Sequence, residues 1–341
     1  MKWSAIILSI VIFMFLSCGM KTQSWWNEPQ IVVLAEQDDW PMIERPLKDA
    51  FEHVIRTPQP EKEYVIKHSD AEGYGQYRHA RYLIVAATLQ SEGQIGDLVR
   101  RTLQDPDLRA RVEQGKQFSF VQRDPWARDQ WMLILAAKDI HALKTAIEMQ
   151  GATLYDFFND AIRTYLKEEM FERGEQKKVE KELMDLYGWN IRLHKDYFIA
   201  QAIPQDRMVW FRRIHPERWI FVRWIEDADT SGVFSQDWVV NERNRIGKVY
   251  YGNDRIADRY LFSYPSEFLG RPAQITTGLW ENEEKVAGGP FKNYTFYDGI
   301  SGRLYMLDIA TWAPEYDKVP LMRRLDIIAH SFRTLFDQDV D

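Results

Sequence analysis

MVWFRRIHPERWIFVRWIE, residues 208–226, holds two apolar runs separated by a few residues around His215 and Pro216. The second run carries aromatic or aliphatic side chains at odd and even positions alike, so both of its faces are apolar and it is expected at the centre of a sheet. WNIRLH (189–194) and YFIAQAI (197–203) precede it with equally short links. Such links fit an antiparallel meander, whereas parallel neighbours would need a helix between successive strands. The expected fold class is therefore α+β, with mainly antiparallel sheets covered by helices. A parallel doubly wound sheet is the alternative.

Outward from this stretch toward the C-terminus, the pattern predicts a helix over Ser235 to Gly247. Strands follow at QITTGLW (274–280), NYTFYD (293–298) and RLYMLDIA (303–310). A closing helix places Leu321, Leu325, Ile328, Phe332 and Leu335 on one face. Toward the N-terminus, IVVLAE (31–36) reads as a buried strand and Met42 to Val54 as a helix with Leu47, Phe51 and Val54 inward. EYVIKH (63–68) and RYLIVAATL (81–89) are further strands. A helical stretch from Gln94 to Gln114, broken at Asp105-Pro106, leads to strands at FSFVQ (118–122) and WMLILAA (131–137).

Helices resume at Ile140, and Gly151 is expected to end the first. Thr153 with Asp156 then forms a capping box for the next, which carries an i, i+4 stripe of Leu154, Phe158, Ile162, Leu166 and Met170. The charged stretch EMFERGEQKKVEKEL (169–183) continues helical to Gly188, with Val179, Leu183 and Leu186 as its apolar positions. Its charges read as a solvated face. The chain thus divides into a signal peptide at 1–17, a tether at 18–29 and α+β halves at 30–188 and 189–341. The two halves are either separate or one continuous domain.

The N-terminus is free of charge from Trp3 through Met20 after Lys2 and ends in the pattern Phe15-Leu16-Ser17-Cys18, which resembles a bacterial lipobox. Cys18 is the one cysteine in 341 residues and stands where lipid modification requires it. Acylation there would anchor the chain permanently, since each buried methylene contributes about 0.8 kcal/mol; the competing reading is an uncleaved signal anchor. No disulfide is then possible, so stability must come from the core. Without Lys2 the chain has 43 basic and 51 acidic side chains, a balance that disfavours nucleic acid and anionic lipid as electrostatic partners. GMKTQSWWNEP (19–29) is a short tether whose Trp25-Trp26 pair is expected to pack on the body. GMKTQS (19–24) contains no acidic residue.

Familiar chemistries find no signature. DADTSG (227–232) copies the opening of an EF-hand loop, but Trp238 stands where the closing carboxylate should be, so it reads as a polar turn. GYGQYR (73–78) precedes a strand and cannot be a phosphate cradle. With one cysteine, thiolate zinc sites are excluded, and no metal or other cofactor is expected. His194 with Asp196 can share a strand face, and His330 falls on the polar face of the closing helix; both read as structural or exposed.

The best polar constellation is RDPWARDQ (123–130), where Arg123, Asp124, Arg128 and Asp129 surround Trp126. Two carboxylates can divide acid and base roles if their environments split their pKa values, and the bland reading is a turn with internal ion pairs. Thirteen tryptophans and sixteen tyrosines raise carbohydrate binding, because aromatic faces stack on sugar rings. Trp210, Trp219 and Trp224 lie within apolar strand patterns and are expected in the core. Trp40, Trp126, Trp280 and Trp312 adjoin turns or acidic residues and are the candidate binding residues.

DDW (38–40), RDPWARDQ, RWIEDAD (223–229) followed by WVVNERNRIGKVYYG (238–252), and above all GLWENEEKVAGGPFKNYTFYD (278–298) with TWAP (311–314), resemble a Bacteroidota lipoprotein family known as domain of unknown function 4837. The resemblance runs over nearly the whole mature chain and implies a lipid-anchored, envelope-facing α+β body without an assigned catalytic residue. Lipoproteins of this kind often carry acidic residues soon after the cysteine as a surface-export signal, so the resemblance implies that GMKTQS, which has none, leaves the body facing the periplasm. Physically, Gly288, Gly289 and Pro290 are expected to form a tight turn with Phe291 plugging the core. Arg243 and Asn244 either bind a neighbouring strand or pair with Glu242 and solvent. The leading functional expectation is a non-catalytic, lipid-anchored protein that binds an envelope protein or glycan. The alternatives are a hydrolase using Asp124 or Asp129 and a carbohydrate-binding lipoprotein.

Overall fold

The computed structural model describes residues 21–172, 174–228, 232, 234–335 and 337. Cys18 and the lipobox, and Asp229 and Ser231 of the EF-hand-like opening, lie outside the described residues. The chain packs as two units. The first holds the described residues up to His53 together with Glu63–Ala161, and the second holds Val54–Lys62 and the residues from Ile162 onward.

The first unit is built on a five-stranded mixed sheet. Its strands run in the order Val65–Ser69, Gln30–Leu34, Tyr82–Thr88, Trp131–Ala137 and Ser119–Arg123. The first three pairings are parallel, and only the hairpin partner Ser119–Arg123 is antiparallel. Tyr82–Thr88 is buried at every position, as expected of a strand covered on both faces. Val32, Val85 and Ile134 of the sheet and Ile95 and Val99 of the helix Gln94–Thr102 belong to one apolar cluster. That helix starts against Glu36, whose Oε1 accepts from the amides of Ile95 (2.6 Å) and Gly96 (3.3 Å), satisfying donors that a helix N-terminus leaves open. Trp25 packs at 5.9 Å from the Tyr77 ring and Trp26 meets the edge of Tyr82 at 5.0 Å, so the tryptophan pair lies on the body.

The second unit is built on an eight-stranded antiparallel sheet. Its main path runs Arg255–Ile256, Arg271–Asn282, Ala287–Asp298, Arg303–Trp312, Glu217–Glu226, Met208–Arg213 and Phe198–Ile203, with Phe262–Phe268 also paired to Arg271–Asn282. Three of the four runs expected in the meander form it, over 198–226, and Glu217–Glu226 is central, paired on both sides; WNIRLH does not join it, since only Trp189–Asn190 is a strand and it pairs with Arg333–Thr334 in a separate two-stranded sheet. The α+β class therefore holds, with the antiparallel arrangement in this sheet and a mostly parallel one in the first. The helices Gln236–Tyr250 and Lys318–Ala329 are the main ones packed against the strands of this sheet.

Several boundaries differ from the sequence reading. Ile140–Glu172 is one continuous helix that passes through Gly151, so Thr153 and Asp156 form no capping box. A Cβ at Gly151 would lie 3.1 Å from the Cβ of Ala50, so this glycine permits a close approach to the helix Trp40–Phe51 rather than ending its own. That second helix stops at Phe51, leaving Val54 60% exposed in a two-residue strand. The closing helix ends at Ala329, so Phe332 is buried beyond it and Leu335 is exposed.

Candidate functional site

Register places the residues of one end of the eight-stranded sheet on a common face. Arg212 pairs with Trp219 and Trp210 with Phe221, while Glu217 pairs with Trp312 and Trp280 with Gly289. Because side chains alternate along a strand, Trp210, Arg212, Glu217, Trp219, Trp280 and Trp312 all project to the same side. Tyr250, Tyr251, Gly252 and Asp254, from the end of the helix Gln236–Tyr250 and the loop after it, close over them together with Lys285. The half-open cavity measures about 330 Å³.

Its walls are aromatic. Trp219 meets Trp280 edge-on at 5.1 Å, and the Trp210 ring lies 4.5 Å from that of Tyr251. Trp312 is 40% exposed beside the opening. Four polar atoms of the lining residues are unmatched: Trp210 Nε1, Trp219 Nε1 and Arg212 Nε are buried with no hydrogen-bond partner, as is the Tyr251 hydroxyl. Arg212 Nη2 donates to Glu217 Oε1, and its guanidinium sits 5.2 Å from the Trp210 ring centre. Burial, then the Asp308 carboxylate, push the Tyr251 phenol well above its ordinary range. Burial likewise raises the Asp254 carboxyl, against the lowering pull of Asn282, Lys285 and Arg243.

The hairpin that carries Trp280 forms a wall of the cavity, and it is here that the glycine pair acts. Gly288, Gly289 and Pro290 do not form a turn; they lie inside the strand Ala287–Asp298, paired with Glu281, Trp280 and Leu279. The turn falls instead at residues 283–286. A Cβ at Gly289 would stand 2.0 Å from the carbonyl oxygen of Thr311, and one at Gly288 would stand 2.9 Å from that of Trp280. Glycine inside a strand is the mark of such a close backbone approach. It brings Thr311 O within 3.3 Å of Trp280 Nε1, which donates to it. Asn282 ties the turn to the neighbouring loop, donating to Gly252 O (2.6 Å) and Asp254 Oδ1 (2.7 Å), while Lys285 Nζ donates to Tyr251 O (3.1 Å).

On the same side of the sheet, Arg243 reaches from the helix to Asp308, 3.0 Å away, with 4% and 0% of the two side chains exposed. Asn293 Nδ2 donates to the same carboxylate oxygen at 3.0 Å, and the Arg243 guanidinium lies 4.1 Å from the Phe291 ring centre. Asn244 Oδ1 accepts from the amide of Ile256 at 2.7 Å. Of the two options open to these residues, both bind strand residues.

The remaining sequence candidates fall in the first unit. Trp40 is nearly buried and stacks on His68 at 4.1 Å. Arg123 covers the Trp131 ring at 3.4 Å, and Trp126 meets Tyr74 edge-on at 5.6 Å. Asp124 Oδ1 accepts from the amide of Gln130 (2.8 Å), and Gln130 Oε1 in turn accepts from the amides of Trp126 and Ala127. Asp129 Oδ2 accepts from Gln23 Nε2 at 2.6 Å, and the Arg128 amide donates to Thr22 O. Asp124 and Asp129 both take left-handed backbone angles, with φ of 54° and 59°. Their side chains thus serve loop closure and the seating of residues 21–25. Of the candidate tryptophans, Trp280 and Trp312 meet in the cavity.

Sequence reasoning assigned Trp210 and Trp219 to the core and missed their role in lining this space. A signal was present: Arg212 and Glu217 share a face with these tryptophans at a spacing of two, placing charge where a sealed core would have none.

Residues 175–331 match the family described as "Domain of unknown function (DUF4837)" and residues 27–171 match a second, "Domain of unknown function (DUF8532)". The resemblance expected over nearly the whole chain is therefore confined to the second half: DDW and RDPWARDQ fall among the residues that match DUF8532, and the cavity is lined wholly by residues that match DUF4837. No curated protein matches the sequence.

Among solved structures, cyanobacterial PsbP from Synechocystis sp. PCC 6803 is 14% identical with a TM-score of 0.31, covering 43% of this chain and 86% of its own. The Ran-binding protein Mog1p of Saccharomyces cerevisiae is 10% identical with a TM-score of 0.29, covering 44% of this chain and 93% of its own. LpqN of Mycobacterium tuberculosis, involved in cell envelope biogenesis, is 12% identical with a TM-score of 0.28, covering 42% of this chain and 81% of its own. Likenesses this distant carry no argument about activity. Among the described residues no helix is long and apolar enough to cross a membrane.

Proposed function

We propose that the protein is a non-catalytic, lipid-anchored binding protein of the bacterial cell envelope whose cavity in the DUF4837 domain takes a saccharide. The carrying observation is the cavity itself, where aromatic faces adjoin several hydrogen-bond donors that lack acceptors. A sugar ring offers both complements, an apolar face for the indoles and hydroxyl oxygens for the donors. Leaving such donors unmatched costs about 1–3 kcal/mol each. The carboxylates at the cavity are occupied by the protein: Glu217 by Arg212, and Asp254 by Asn282. That favours binding over general acid–base chemistry. Trp312, half-exposed beside the opening, is placed to stack on the entering ring.

Titration calorimetry of the full chain against envelope oligosaccharides tests this reading. Trp312→Ala should weaken binding by roughly tenfold, the equivalent of about 1.4 kcal/mol, without lowering the melting temperature. A panel without any binding, or binding indifferent to Trp312→Ala and Trp210→Phe alike, would overturn it. The anchor rests on the lipobox at Cys18. Labelled palmitate should enter the wild-type chain and not Cys18→Ala, and protease added to intact cells should spare a body that faces the periplasm.

A further inference from the structure

The face of the sheet opposite the cavity holds a cation that the fold does not neutralise. Arg218 lies between Glu217 and Trp219 in the central strand, so its side chain projects away from the cavity. It is 3% exposed. Among the described residues its guanidinium has no ion pair, and its Nε has no hydrogen-bond partner. Buried charges are ordinarily paired, because an isolated one forfeits its hydration without return. Arginine does not escape by losing its proton.

The surroundings add positive charge. Arg213 stands directly across from Arg218 in the antiparallel register, so both side chains leave the same face as neighbours. Arg324, on the helix Lys318–Ala329, adds further positive potential at Arg218. The acidic side chain nearby is Asp196, and it is already engaged by Arg213 at 2.9 Å and His194 at 3.2 Å. The hydroxyl of Tyr197, also 3% exposed, is buried without a hydrogen-bond partner and feels the Arg218 charge. Two unmatched polar groups therefore share a locally cationic environment within a chain whose net charge is −7.

We propose that Arg218, with Arg213 beside it and the Tyr197 hydroxyl, forms a binding site for a phosphate-type oxyanion. The planar guanidinium fork suits bidentate contact with two oxygens of such a group, and a tyrosine hydroxyl supplies a further donor. The site is independent of the cavity, because alternation along the strand sends Arg218 to the other side of the sheet. The oxyanion is either free phosphate or a phosphate carried on a lipid headgroup.

The test uses the full chain in phosphate-free buffer. Inorganic phosphate is added against sodium chloride of equal ionic strength, with melting temperature and phosphorus NMR line width as readouts. In a second arm, phosphatidylglycerol vesicles are compared with vesicles of a phosphate-free galactolipid by co-sedimentation of the chain with Cys18→Ala. For free phosphate, the wild type should gain about 3–6 °C at ten times the dissociation constant and broaden the phosphate line. For a headgroup source, phosphatidylglycerol alone should retain the protein. Arg218→Met should abolish either effect while melting at or above the wild-type temperature in phosphate-free buffer, because it removes an unpaired buried charge. Tyr197→Phe should weaken the effect severalfold. The proposal is overturned if neither source binds, if Arg218→Met binds as well as wild type, or if that variant melts well below wild type without phosphate, which would show a partner for Arg218 within the fold.

Discussion

Arg243→Met removes the cation from the buried Arg243–Asp308 pair while keeping much of the side chain that lies over Phe291. Asp308 is wholly buried, with Arg243 and Asn293 both on Oδ2 and its Oδ1 without a partner. Taking away one member of such a pair leaves an uncompensated charge and costs about 3–5 kcal/mol. At about 2–4 °C per kcal/mol for a unit of this size, the melting temperature should fall by roughly 6–20 °C. Adding Asp308→Asn should recover more than half of the loss, since the amide oxygen still accepts from Asn293 and no charge remains. The residual cost is then that of imperfect hydrogen bonding, about 1–3 kcal/mol.

The pH dependence has a definite sign. Burial raises the Asp308 carboxyl, outweighing the lowering by Arg243 and Asn293. A carboxyl whose pKa is higher in the folded state contributes stability fully below its unfolded pKa, about 3.9, and loses it as pH rises through the folded value. Without Arg243 the folded pKa rises further. The deficit of Arg243→Met relative to wild type should therefore be largest at neutral pH and shrink on acidification, as Asp308 takes up its proton. Urea unfolding followed by circular dichroism measures each term, with an unchanged m-value as the check that the folded state is intact. A loss below about 1 kcal/mol, or a double variant no more stable than Arg243→Met, would refute the reasoning.

Two further perturbations probe the same unit. Asp326 accepts from Arg163 (2.7 Å), Lys292 (3.0 Å) and the Tyr294 hydroxyl; burial raises its pKa, but Lys292, His330 and Arg163 outweigh that and hold it far below the usual carboxylate range. Its stabilisation is present above the unfolded pKa and is lost as pH falls below about 4, so Asp326→Asn should cost about 3 kcal/mol at neutral pH and progressively less in acid; equal loss at pH 7 and in strong acid would contradict this. Gly289→Ala places a Cβ 2.0 Å from Thr311 O, so the hairpin must shift and roughly 3 kcal/mol of stability should go, measured by the urea midpoint; a wild-type midpoint would show that the strand has room.

Most of the second unit was legible because its signals are local. Short links around His215-Pro216 force antiparallel neighbours, and the two-faced apolar run at 217–226 sits where such runs belong, at the centre. The first unit was harder because an apolar run does not state the direction of its partner. Gln30–Leu34, Tyr82–Thr88 and Trp131–Ala137 are buried almost throughout, the pattern of parallel strands, and helices do lie between them. Gly151 misled for a related reason. A glycine in a helical pattern reads equally as a terminus or as a contact, and only Ala50 across from it decides. RDPWARDQ was legible as a turn, and its carboxylates were read alongside the catalytic option because Gln130, which accepts from the Trp126 and Ala127 amides, looks like an ordinary polar residue in the sequence.

The cavity poses the opposite problem, since its tryptophans look like core and face core-like neighbours. What prevents collapse is the hairpin of residues 271–298. Gly289 lets the strand Arg303–Trp312 approach until Thr311 O accepts from Trp280 Nε1, which fixes the indole. Asn282 and Lys285 then tie the turn at 283–286 to the loop at Tyr251–Asp254. Asn282 is buried, so its bonds satisfy an amide that would otherwise be unmatched, and Lys285 adds a tie at the surface; the opening is held by hydrogen bonds rather than by a ligand. A site formed in advance loses less ordering entropy when it is filled. The stretch GLWENEEKVAGGPF (278–291) is thus one device in physical terms: the fixed indole, the tied turn and the close approach that together keep a wall of the cavity in place.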